Sequence, residues 1–207
     1  MYKRQEQHSE IDELLTCRES VDLIIPRGSN AFVQHIMSRT SIPVMGHADG
    51  ICHIYVDKDY DMAKAIPIII DAKTQYTAAC NAAETLLVHR DIAKDFLPVL
   101  EKAAGEKHIR LRGTKEAGEI IPLDIIEDDD FRHEYLDLVL AVKIVSGVEE
   151  AVNHINRYGS HHTDAIITEN INTAARFMQL VDSAGVYQNA STRFADGFRY
   201  GFGAEVG

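Results

Sequence analysis

Val21-Asp22-Leu23-Ile24-Ile25-Pro26-Arg27-Gly28-Ser29-Asn30, running into residues 31–39, decides the fold class. Residues 21–25 are a short, mostly apolar run stopped by Pro26, as expected of a strand covered on both faces of a parallel sheet. Gly28 permits a tight turn, and Phe32, Val33, Ile36 and Met37 then fall on one helical face. Strand, glycine turn and helix form the repeating unit of an α/β protein, and the rest of the chain keeps that alternation. Residues 42–45 and 51–56 read as strands around the loop Gly46-His47-Ala48-Asp49-Gly50. Residues 62–79 read as a helix entered from Asp61, interrupted or kinked at Pro67, that delivers the chain to Cys80. Residues 84–88 are the next strand, and residues 92–104 a helix bent at Pro98. The stretch 109–130 is rich in turns and acids, with one or two strands. Beyond it the spacing predicts strands at 138–145, 164–168 and 185–189, and helices at 148–158 and 171–181. Residues 10–18 have helical spacing, and the tail 191–207 reads as a glycine- and aromatic-rich loop packed on something.

The 207 residues are 45% hydrophobic, enough for a sizeable core. With 21 Lys and Arg against 32 Asp and Glu, the net charge is −11, which argues against a general binder of nucleic acid or anionic membrane. No apolar run reaches the roughly 18 to 20 residues of a membrane span, and Met1-Tyr2-Lys3-Arg4-Gln5-Glu6 lacks a signal-peptide core, so a soluble, cytoplasmic protein is expected. Cys17, Cys52 and Cys80 are odd in number and have no C-x-x-C spacing, which suggests neither a disulfide framework nor a zinc ribbon. Strong zinc spacings are also missing around the ten histidines, so no metal is expected. His47 and His162 read better as substrate hydrogen-bonding groups.

Three segments carry chemistry. Arg27-Gly28-Ser29 can bring a phosphate to a helix N-terminus, or can be an ordinary turn with Ser29 as N-cap. Cys80 follows two alanines and precedes Asn81 and another small pair, so a substrate can approach its sulfur. It reads equally as a thiolate nucleophile or as a small buried residue. The segment from Asn189 through Ser191, Thr192 and Arg193 to Arg199 sets guanidinium, amide and hydroxyl groups among glycines and aromatics. It can read a carboxylate or phosphate, or be a structural loop. Glu127-Asp128-Asp129-Asp130 reads as a solvated acidic turn without a role.

Five blocks resemble the γ-glutamyl phosphate reductase (glutamate-5-semialdehyde dehydrogenase) family of the aldehyde dehydrogenase superfamily. They are residues 21–30, Pro43 to His53, Asp71-Ala72-Lys73-Thr74-Gln75-Tyr76 with Ala79-Cys80-Asn81-Ala82, Gly159-Ser160-His161-His162-Thr163-Asp164, and residues 189–207. The resemblance runs from about residue 10 to the end. It implies a three-layer, mostly parallel α/β catalytic domain at 46–190, a remnant of a Rossmann-like cofactor domain at 1–45, and a substrate-pocket loop opening a return or oligomerisation segment at 191–207. It also implies Cys80 as catalytic nucleophile and NADPH as cofactor, met by Arg27, Gly28, Ser29 and Glu134. The implied substrate, γ-glutamyl phosphate, is held by His47, Asn81, His162, Asn189, Ser191, Thr192, Arg193 and Arg199. A homo-oligomer at full length and functional coupling to glutamate 5-kinase in proline biosynthesis are implied as well.

Two departures qualify the resemblance. Gln75-Tyr76-Thr77 stands where the family tends to read Gln-Tyr-Pro, which loosens the approach to Cys80. The family's N-terminal half, with most of its nucleotide-binding sheet and its oxyanion amide, is missing, as is the continuation past Gly207, so the chain reads as a fragment. Hydrolytic relatives carry a water-activating Glu after the strand at 42–44, and Met45-Gly46-His47 offers no carboxylate there, as suits a reductase that must keep water from its thioester. Another acyl-phosphate or acyl-CoA reductase of the superfamily is the alternative, and a non-catalytic remnant the alternative outside enzymes.

Overall fold

The computed structural model describes residues 8–46 and 49–203. They divide into two compact units, with the boundary between Asp49 and Gly50.

The first unit contains helices α1 (His8–Leu14) and α2 (Asn30–Arg39). Ser29 caps α2, its Oγ accepting the Phe32 N–H at 3.3 Å. The strands expected at 21–25 and 42–45 contract to one parallel bridge between Ile24 and Val44. A two-strand parallel pair is poorly covered, and Leu23, Ile25 and Met45 remain exposed accordingly. Leu15, Val33, Ile36 and Ile42 form what core this unit has.

The second unit is a seven-stranded, wholly parallel sheet. Its strands are β1 (Cys52–Val56), β2 (Ala83–His89), β3 (Arg110–Gly113), β4 (Asp124–Ile125), β5 (Val139–Val145), β6 (Thr163–Ile167) and β7 (Gly185–Gln188), arranged 4-3-5-2-1-6-7. Helices α3 (Met62–Thr74), α4 (Arg90–Glu106) and α5 (Lys115–Gly118) cover one face; α6 (Val148–Tyr158) and α7 (Ile171–Leu180) cover the other. Alternation along the strands divides the core. Ile54, Val56, Leu86 and Val88 pack with Ile69, Phe96 and Leu97, while Tyr55 and Leu87 pack with Ile155 and Phe177. The fold is the expected three-layer α/β sandwich.

Two readings need correction. The helix expected to reach residue 79 ends at Thr74, and turns occupy 75–82. α3 is not interrupted at Pro67, and α4 likewise continues through Pro98. The stretch 109–130 supplies β3 and β4, plus the unexpected α5. Its acidic run opens a 3₁₀ turn (Asp128–Arg132) with a capping box between Glu127 and Asp130. Among the described residues no helix is long and apolar enough to cross a membrane.

Candidate active site

In an all-parallel sheet every residue that immediately precedes a strand lies at one edge. Gly50, the turn bearing Cys80, Glu134 with Tyr135, and Ser160 to His162 lead into β1, β2, β5 and β6 respectively, so four connections converge there. The turn is fastened by Ala79 N–H to the Tyr76 carbonyl (3.3 Å) and Ala82 N–H to the Ala79 carbonyl (2.9 Å). Cys80 is exposed and Cys52 is buried, with the Cys52 thiol donating to the Cys80 carbonyl at 3.3 Å. Burial, then the nearby Asp164 carboxylate, pushes the Cys52 thiol well up, which disfavours its thiolate.

Gly50 ties the Cys80 turn to a carboxylate. Its N–H donates to Glu134 Oε1 at 2.8 Å, and its Cα lies so close to Cys80 that a Cβ there would meet the Cys80 carbonyl oxygen at 2.0 Å. Glu134 is half-buried in this position. The next amide, Ile51 N–H, donates to Ser160 Oγ at 2.9 Å, which secures the β6 connection to the same point.

The tail supplies cations. Asn81 is buried; its Nδ2 donates to the Ala195 carbonyl at 2.7 Å and its Oδ1 accepts from Arg193 Nη1. Ser191 caps the short 3₁₀ turn (Thr192–Phe194) by accepting the Arg193 N–H at 3.2 Å, and Thr192 is fully buried. Arg199 Nη2 donates to Gln75 Oε1 at 3.3 Å and stacks over Phe194 at 5.6 Å. His162 pairs through Nδ1 with Thr163 Oγ1 at 2.8 Å and lines a cavity of about 370 Å³ with Tyr187, Asp196, Tyr200 and Phe202.

Cys80, Asn81, Glu134, Arg193 and Arg199 are thus held around one turn. Asn189 is elsewhere: at the opposite edge of the sheet, its amide engages the Thr168 N–H and carbonyl, each at 3.0 Å. Arg27, Gly28 and Ser29 belong to the first unit, where a Cβ on Gly28 would meet the Phe32 ring at 2.8 Å. His47 lies outside the described residues. Among those residues no group of three or more His, Cys, Asp or Glu side chains is placed to hold a metal ion.

Sequence reading missed a buried ion pair at the base of the turn. Lys73 Nζ donates to Glu84 Oε2 at 2.8 Å, with the two side chains 0% and 1% exposed. The signal was available: Lys73 is four residues after Ile69 and eight after Ala65, on the apolar stripe of α3, where a solvated lysine does not belong. Burial raises the Glu84 carboxyl to about 7 against the opposing pull of Lys73, and burial likewise lowers the Lys73 ammonium.

A family model described as "Aldehyde dehydrogenase family" matches residues 5–122, more than half of the sequence. The chain belongs to the aldehyde dehydrogenase family. Within it, γ-glutamyl phosphate reductase 1 of Synechocystis is 61% identical over 198 residues, covering 96% of this chain and 46% of the relative. The crystal structure of γ-glutamyl phosphate reductase from Thermotoga maritima superposes with a TM-score of 0.94 at 44% identity, covering 97% of this chain and 49% of that one. The chain therefore spans about half the length of these relatives. A glyceraldehyde-3-phosphate dehydrogenase from Methanocaldococcus jannaschii, solved with NADP, shares the aldehyde dehydrogenase fold with a TM-score of 0.71 at 19% identity, over 89% of this chain and 49% of that one.

Proposed function

We propose that this chain carries the nucleophile-bearing part of a γ-glutamyl phosphate reductase, which converts γ-glutamyl phosphate to glutamate 5-semialdehyde and phosphate with NADPH. The observation that carries the reading is the exposed Cys80 turn, packed on Gly50 and joined through it to Glu134, in a chain 61% identical to a reductase of that name. The Cys80 thiolate attacks the acyl carbon; the carbon–sulfur bond forms as the bond to the phosphate oxygen breaks, leaving a thioester and free phosphate. Arg193 and Arg199 supply guanidinium groups for the anionic ends of the substrate, and Asn81 orients Arg193. His162 offers a ring to the cavity beside the tail.

The residues fit a nicotinamide cofactor in two respects. In the second unit Gly50 fixes one oxygen of Glu134 and so aims the carboxylate for a ribose hydroxyl; in the first, taken by itself, Ser29 caps α2, and a helix N-terminus of this kind suits a phosphate. NADPH, when bound, supplies the hydride that brings the thioester to the aldehyde level. The semialdehyde is expected to leave Cys80 as a free thiol and to cyclise through its own amine. A kinase acting on glutamate must supply the acyl phosphate. A homo-oligomer and a cytoplasmic location complete the proposal. In a full-length protein carrying this segment, Cys80→Ser is expected to abolish NADPH-dependent turnover while leaving the fold intact; retained turnover refutes the assignment.

A further inference from the structure

Lys73 and Glu84 bracket the nucleophile. Lys73 is in the last turn of α3, Glu84 is the second residue of β2, and the eleven-residue step between them contains the whole Cys80 turn. Such a pair is not what stability asks of a core position, since apolar residues of similar volume commonly do as well or better there. Glu84 Oε1 is moreover buried without a hydrogen-bond partner among the described residues. The carboxylate also faces the segment before β5. The Tyr135 backbone N–H approaches it, and the charges of Glu134 and Asp137 act on Lys73. Glu134 is held by Gly50, Gly50 packs on Cys80, and Cys52 beneath feels Asp164, Cys80 and Glu84. The contacts form a chain from Cys80 through Gly50 to Glu134, on by the adjoining Tyr135 amide to Glu84, and through Lys73 back to the turn.

We propose that Lys73 and Glu84 are a positioning pair that fixes both ends of the Cys80 turn and ties it to the Glu134 segment, so that nucleophile and cofactor-reading carboxylate keep one mutual placement. This rests on the reading of Cys80 as nucleophile. Neither side chain touches substrate. Each acts by holding the turn and by setting the charge at its base.

The test alkylates the full 207-residue chain with iodoacetamide across neutral and alkaline pH. Peptide mass mapping follows Cys80, with exposed Cys17 as internal reference. Lys73→Met and Glu84→Gln each break the Nζ–Oε2 bond that joins the two ends of the turn, so each is expected to lower the Cys80 to Cys17 rate ratio on the order of tenfold. A wild-type ratio in both folded variants overturns the proposal. Should the single variants fail to fold, the double variant Lys73→Met with Glu84→Leu keeps the volume without the charges. It is expected to hold the wild-type thermal midpoint while the Cys80 to Cys17 rate ratio falls on the order of tenfold, because sub-ångström misplacement is already costly at a reacting group. A folded double variant with the wild-type ratio overturns the pair's role and leaves the nucleophile standing. A wild-type Cys80 no faster than Cys17 overturns the nucleophile reading, and the pair's role with it.

Discussion

Gly50→Ala is a minimal change that reaches Cys80. A Cβ at this position would sit 2.0 Å from the Cys80 carbonyl oxygen and 2.5 Å from both its carbonyl carbon and its Cα. Real Cβ contacts hardly ever fall below 3.0 Å, so the Cys80 backbone must retreat by about 1 Å, and no flexible side chain is there to yield instead. Retreat is opposed by the Gly50 bond to Glu134 (2.8 Å) and by the Cys52 thiol on the same carbonyl (3.3 Å). Overpacking of this kind costs about 1–3 kcal/mol of stability. Reactivity should suffer more, since about 1 Å of misplacement at a reacting group costs on the order of 100-fold. Urea unfolding reads the first quantity and the Cys80 alkylation rate the second. An alanine variant with wild-type midpoint and wild-type Cys80 rate would refute the claim that Gly50 sets the position of Cys80.

Gly105, in α4, has nothing within 4 Å of an added Cβ, so Gly105→Ala should raise stability by about 0.5–1 kcal/mol in the same unfolding assay and leave Cys80 unaffected. His154 is buried against Phe131, Tyr158 and His53, and burial holds it at about 2 against an ordinary 6.5. Below pH 6.5 the unfolded chain takes up a proton there that the folded chain refuses, so stability is lost as the pH falls. His154→Leu should move the acid-unfolding midpoint to lower pH, as circular dichroism would read. Asn81→Ala deprives Arg193 of its acceptor and the Ala195 carbonyl of its donor, at a cost of about 1–3 kcal/mol. Hydrogen exchange should quicken at 191–200 while amides of β1 and β2 keep their protection.

The sheet was legible because its strands are almost unbroken apolar runs. Residues 51–56, 84–88 and 138–145 could be read to within a residue or two of β1, β2 and β5, and α6 matched at both ends because its apolar stripe has a clean helical period. The end of α3 was harder. Ala78 and Ala79 favour a helix, but the chain must reverse after Thr74 to enter β2 beside β1, and tertiary placement overrides propensity. Cys80 stood out by its small neighbours and by resemblance. Gly50 and the Lys73–Glu84 pair did not, because their importance lies in contacts across 11 to 84 positions of sequence that only the folded sheet brings together. Asn189 was grouped with the tail on proximity in sequence, although a strand's length separates it from that edge.

The polarity of the sheet has an electrostatic consequence. Helices α3, α4, α6 and α7 each leave the carboxyl end of one parallel strand and return to the start of the next, so their C-termini lie toward the edge that holds Cys80. Those ends carry the negative pole of the backbone dipoles, the reverse of the arrangement by which many α/β proteins welcome phosphate. An anionic ligand entering this unit therefore gains nothing from helix termini. Its attraction must come from side-chain charge, and among the cations there Arg193 and Arg199 are anchored on Asn81 and Gln75, within the turn that bears Cys80. On the proposed reading, the choice of anion at this edge would therefore rest on side chains rather than on the fixed dipoles of the backbone.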